Sequence, residues 1–116
     1  KTMIKGTIEC SFGEVKTNAE LSPCELLFAI GIQETENSVS HVKYQSQCML
    51  VGGGLNPPHV IECLGESIMS MLEEYCEGNA DATLKAMMTF QKLVKEETNE
   101  YMMNHVKEIL AEKEKM

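Results

Sequence analysis

The stretch His41–Gly78, HVKYQSQCMLVGGGLNPPHVIECLGESIMSMLEEYCEG, changes its hydrophobic period part-way along. Val42, Tyr44, Ser46, Cys48 and Leu50 alternate with His41, Lys43, Gln45, Gln47 and Met49. Period two predicts a strand over about 40–51 with a mostly polar outer face. Gly52-Gly53-Gly54 break that strand, and Asn56-Pro57-Pro58 open a helix, since proline suits the first helical turn. From 57 to 77 the apolar residues Val60, Ile61, Leu64, Ile68, Met71, Leu72 and Tyr75 recur at helical spacing. Gly78 stands where a C′ glycine would end the helix, and Asn79 or Asp81 would cap the next one.

The same periodicities extend outward. Ile4, Gly6, Ile8, Cys10 and Phe12 alternate with Met3, Lys5, Thr7, Glu9 and Ser11, predicting a strand buried on one face. Gly13 offers a turn or bulge, after which Glu14–Thr17 continue the strand or return as a short hairpin arm. Ser22-Pro23-Cys24-Glu25 has the form of a capping box with proline at the first helical position. The run from Leu26 to Ile32 reads as either a buried strand or a buried helix, and the capping box decides for the helix. Residues 82 to about 114 contain neither Gly nor Pro, and Leu84, Met87, Met88, Val94, Tyr101, Met102, His105, Val106 and Ile109 share one side. A continuous helix there would reach ~45 Å. A domain of this size is only ~27 Å across. The helix is therefore expected to break near Thr98-Asn99, or to project and pack on another chain. The fold class is α+β: a small, mostly antiparallel sheet of two or three strands covered by helices, with a long C-terminal helix, in one domain over 1–116.

Composition narrows the function. The 116 residues carry 18 acidic and 10 basic side chains, net −8, and every basic residue is lysine. An acidic chain lacking arginine has neither the basic patch of a direct nucleic-acid binder nor the guanidinium fork that grips phosphate. No apolar run approaches the ~18 residues of a membrane span, and no secretory signal opens the chain. Five cysteines at 10, 24, 48, 63 and 76 form no CxxC pair. An odd count without a signal reads as reduced thiols acting as small hydrophobes, in the cytoplasm.

The charge is concentrated. Residues 57–80 hold five Glu and no Lys, so they carry −5 of the −8. Glu62 and Glu66 are like charges at i, i+4, as are Glu73 and Glu77, and such pairs cost a few tenths of a kcal/mol each. The bland reading is a solvated face. The functional reading is an acidic face of Glu62, Glu66, Glu73, Glu74 and Glu77 for a protein partner with a basic surface. Helical Glu pairs alone lack the loop and carbonyl ligands that calcium takes, so no metal site is assigned.

Three further features bear on chemistry. His59 and Cys63 are four apart, beside Glu62, and would need a third ligand to hold zinc or an orienting group to act as a Cys–His pair. Gly52, Gly53 and Gly54 stand between a strand and a helix, the setting of a phosphate loop. They match neither dinucleotide nor P-loop spacing, and Pro57 and Pro58 remove the amide donors such a loop needs. His41 and His105 have no companion in sequence. The favoured expectation is a non-catalytic acidic interaction module: a regulator, adaptor or inhibitor that forms a homo-oligomer and uses no cofactor. A phage-type inhibitor seated in the groove of a basic host protein is its most concrete form. The alternative is a small-molecule-binding or sequestering protein, with its site near Gly52–Gly54, Lys43 and Tyr44 or at an oligomer interface. The third class is an enzyme built on Cys63 and His59.

Overall fold

The computed structural model describes residues 3–115. Its order is β1 (Thr7–Phe12), β2 (Val15–Glu20), β3 (Leu26–Ser38), β4 (His41–Gly52), α1 (Pro57–Tyr75), α2 (Ala80–Asn104) and α3 (Val106–Glu114). Two separate antiparallel two-stranded sheets, β1–β2 and β3–β4, precede three helices, which is an α+β fold. The chain divides into two units, Lys1–Val60 and Ile61–Met116.

In the first unit, the residues after Gly13 return as a hairpin arm. Phe12 pairs with Val15 across the two-residue turn Gly13-Glu14. Gly13 has φ of 61° and Glu14 does not share the positive φ, the pattern of a type II′ turn that matches strand twist. Pairing continues past the named strands through Leu21 N–H to the Gly6 carbonyl at 2.9 Å. Two bonds then join Ile4 and Cys24, at 2.7 and 3.0 Å.

Those last two bonds overturn the helix expected from Ser22. Cys24 gives its amide and its carbonyl to Ile4, so the supposed first turn is extended, and Leu26–Ser38 form β3. The physical reason is non-local. A helix over 23–33 would hold Gly31 inside it at a cost of about 1 kcal/mol and constrain β-branched Ile30 and Ile32. It would also leave the alternating strand His41–Gly52 without a ladder partner. Pairing runs instead from Leu26↔Gly52 to Ser38↔His41, and the local capping signal yields to it. The turn is Val39-Ser40, where Ser38 Oγ donates to the His41 carbonyl at 3.2 Å. One extra residue, Thr35, bulges between Glu34↔Tyr44 and Glu36↔Lys43. Its hydroxyl donates to the Lys43 carbonyl at 3.3 Å.

Helix α1 starts as expected at Pro57, and the Asn56 carbonyl accepts the amides of His59 and Val60 at 3.1 Å. Its end differs by one residue from the expectation. Gly78 N–H reaches the Glu73 carbonyl at 3.1 Å and Glu77 N–H the Glu74 carbonyl at 3.0 Å, the two bonds of a Schellman motif. Glu77 therefore takes the left-handed C′ position, φ 55°, and Gly78 follows it. Asn79 is the cap of α2, its Oδ1 accepting from Ala82 N–H at 2.9 Å.

The long C-terminal helix breaks at His105, not near Thr98-Asn99. Thr98 only donates its hydroxyl to the Val94 carbonyl, which a helix tolerates. At His105 the ring Nδ1–H donates to the Tyr101 carbonyl at 2.8 Å, and that carbonyl also accepts the His105 amide at 3.0 Å. The imidazole stacks on Tyr101, with centroids 4.0 Å apart. The i−4 bonds from His105 to Tyr101 and from Ile109 to His105 are both kept, so the interruption is confined to the non-helical backbone of His105, φ −123° and ψ 18°.

Burial is shallow. No hydrophobic side chain among the described residues is buried, and Thr83 is the one buried polar residue. On α1, Val60, Leu64, Ile68, Met69 and Leu72 are half-buried, whereas Ile61, Met71 and Tyr75 of the expected stripe are exposed. On α2, Ala86, Met87 and Phe90 are half-buried beside Thr83, and every residue from 91 to 104 is exposed. Among the described residues no helix is long and apolar enough to cross a membrane.

Candidate interaction surfaces

The acidic face is formed by the helical geometry of α1. At 100° per residue, Glu62, Glu66 and Glu73 fall within about 40° of one another, roughly opposite the centre of the half-buried stripe. Glu74 stands further round, and Glu77 follows the helix in its left-handed position. All five carboxylates are exposed, and none forms an ion pair with a described residue. The described lysines that do pair belong elsewhere: Lys43 with Glu36 at 3.9 Å, Lys85 with Asp81 at 2.9 Å, Lys92 with Glu96 at 4.0 Å and Lys115 with Glu112 at 3.4 Å. Among the described residues nothing neutralises the α1 charges, and a cationic surface approaching them gains long-range attraction.

Gly52, Gly53 and Gly54 are exposed, and each has a positive φ. Gly52 serves the backbone. A Cβ there would overlap the Glu25 carbonyl oxygen and stand 2.7 Å from Ile4 Cδ1. The close approach lets Gly53 N–H donate to that same carbonyl at 3.3 Å, tying the end of β4 to the start of β3. Two open grooves among the described residues are not lined by these glycines. They lie along α2 and α3, around Val94, Thr98, Tyr101 and His105, and around Tyr101, Ile109 and Glu112.

His59 and Cys63 are both exposed. No group of three or more His, Cys, Asp or Glu among the described residues is placed to hold a metal ion. All five cysteines are free thiols; Cys10, Cys24 and Cys76 are half-buried, whereas Cys48 and Cys63 are exposed rather than packed as small hydrophobes. His41 sits beside the hairpin turn with Nε2 3.4 Å from Glu36 Oε2, and Lys43 Nζ is 3.9 Å from the other oxygen. Both contacts are more than half exposed and stabilise little.

A surface not foreseen from the sequence lies on the β3–β4 ribbon. Residues directly opposite in an antiparallel pair project to the same face. Phe28↔Leu50, Ile30↔Cys48, Ile32↔Ser46 and Glu34↔Tyr44 therefore share one face. Phe28 is 43% exposed, Ile30 66%, Ile32 73%, Tyr44 66% and Leu50 63%. The signal was present in the alternation of Phe28, Ile30 and Ile32, but a helical reading of that segment conceals it. Compared with protein-family models, curated proteins and solved structures, the chain gives no match.

Proposed function

We propose that the chain is a non-catalytic, self-associating protein-interaction module that presents an acidic helix to a basic protein surface. The observation that carries this reading is the absence of any buried hydrophobic side chain among the described residues. Folding is driven mainly by removing apolar surface from water. A two-stranded ribbon is at best marginal in water until something packs on it. A chain of 43% hydrophobic residues that leaves Ile30, Ile32, Met103 and Tyr75 largely in solvent gains stability when another protein surface covers them. The unneutralised glutamates on α1 then supply orientation and association rate. Regulation or inhibition of a basic host protein is the role this surface suits.

The acidic half of the proposal is tested with Glu66→Lys plus Glu73→Lys. Both side chains are exposed and unpaired, so the thermal midpoint is expected to stay within a few degrees of wild type. Crosslinking capture from the native cell should recover a basic protein with wild type at low salt. It should lose that protein with the double variant and at high salt, because surface charges are screened beyond ~8–10 Å. Equal recovery by both chains would mean that the acidic face plays no part in binding.

A further inference from the structure

The two faces of the β3–β4 ribbon both carry little charge from Leu26 to Glu34, but they differ in apolar content: one has Ala29, Gly31, Gln33, Gln45 and Gln47, the other Phe28, Ile30, Ile32, Tyr44 and Leu50. Phe28, Ile30, Ile32, Tyr44, Cys48 and Leu50 form a continuous ladder over strands of 13 and 12 residues. Glu34, at its far end, is the only ionised side chain among the paired residues of this face between Leu26 and Glu34.

We propose that this face docks against the same face of a second copy of the chain, in a two-fold, face-to-face contact between ribbons. The proposal rests on the self-associating reading above and names its surface. Three observations select a second copy. First, the occupant must be apolar where the face is apolar, and a face made of Phe, Ile, Leu and Tyr is complementary to itself. Second, each chain carries −8, so two copies can approach closely only through a surface without net charge. A basic partner is drawn instead to α1, where the charge lies. With the two-fold axis perpendicular to the strands, each Glu34 stands over the Leu26 end of the other ribbon. The two carboxylates are then separated by roughly 27 Å at ~3.4 Å per residue, well beyond the screening length.

Third, the area fits a weak, reversible dimer. Side chains of these types each offer about 60–120 Å² of apolar surface, from ~1.5–3 kcal/mol per side chain at ~25 cal/mol per Å². Partly exposed as they are, the six supply on the order of 200–450 Å² per copy. The smallest specific interfaces bury about 600 Å² per partner. The area falls below that, so the contact belongs to the weak class that dissociates on dilution. Sheets packed face to face sit ~10 Å apart, which side chains of this size fill.

The test is light scattering on the full chain at micromolar concentration. Wild type and Val39→Lys are compared with Ile30→Lys plus Ile32→Lys. Val39 is fully exposed at the hairpin turn, so Val39→Lys makes the same type of charge change off the face. Wild type and Val39→Lys are expected above 13.0 kDa and rising to at least twice that at the high end of the micromolar range, and the double lysine variant at 13.0 kDa with unchanged far-ultraviolet circular dichroism. If the double lysine variant unfolds, Ile30→Thr plus Ile32→Thr decides, since threonine keeps strand preference without adding charge. It should weaken association at least tenfold. A folded variant of either kind that associates like wild type overturns this surface while leaving self-association standing. A wild type that is itself 13.0 kDa throughout overturns the self-associating reading and this inference with it.

Discussion

Gly52→Ala is expected to lower stability by about 3 kcal/mol, and Gly54→Ala by only about 1 kcal/mol. Both positions have positive φ, 96° and 84°, so both substitutions incur the strain of a side chain in that region. The difference lies in the surroundings. A methyl at Gly54 meets nothing within 4 Å, whereas one at Gly52 meets the Glu25 backbone carbonyl and Ile4. Ile4 can rotate aside; the carbonyl cannot without losing the Gly53 bond and the Leu26↔Gly52 end of the ladder. Paired thermal melts should show Gly52→Ala falling by more than about 10 °C, and Gly54→Ala by well under that. Equal shifts would mean that the β3–β4 ribbon does not close at this point.

Ile68→Ala is expected to cost about 1–2 kcal/mol, below the ~2–5 kcal/mol of a fully buried isoleucine. Ile68 is half-buried in the middle of α1, so only part of its transfer energy is at stake. Ser70 is exposed, and Ser70→Ala should change stability by less than about 0.5 kcal/mol, with helix propensity favouring alanine. Urea titrations of the two variants separate these values. No cost at Ile68 would mean that the stripe Val60, Leu64, Ile68, Leu72 is not covered at all.

The parts of the fold that could be read from the sequence are those whose own periodicity meets no competing local signal. The period-two runs at 4–12 and 40–51 became β1 and β4, and the helical spacing after Pro57 became α1. The acidic face was legible because glutamates at i, i+4 and i, i+7 share a helix side whatever the tertiary context. The segment from Ser22 to Ile32 was not legible in the same way. Its capping signature spans four residues, whereas its strand from Leu26 to Ile32 is stabilised by partners in β4 that lie 14 to 26 positions away, and the near signal dominates the local pattern. Misreading that segment hid the apolar ribbon face, because Phe28, Ile30 and Ile32 share a face with Leu50 and Cys48 only when both are strands. The break at His105 is a single non-helical residue, φ −123° and ψ 18°, in a run with neither Gly nor Pro, and no spacing rule marks it.

The central claim is that this chain completes its apolar burial by association. Sedimentation equilibrium of the wild-type chain over a tenfold dilution series in the micromolar range measures that directly. The expected mass is at least twice 13.0 kDa at the high end, falling as the chain is diluted. A constant 13.0 kDa across the whole series would contradict it.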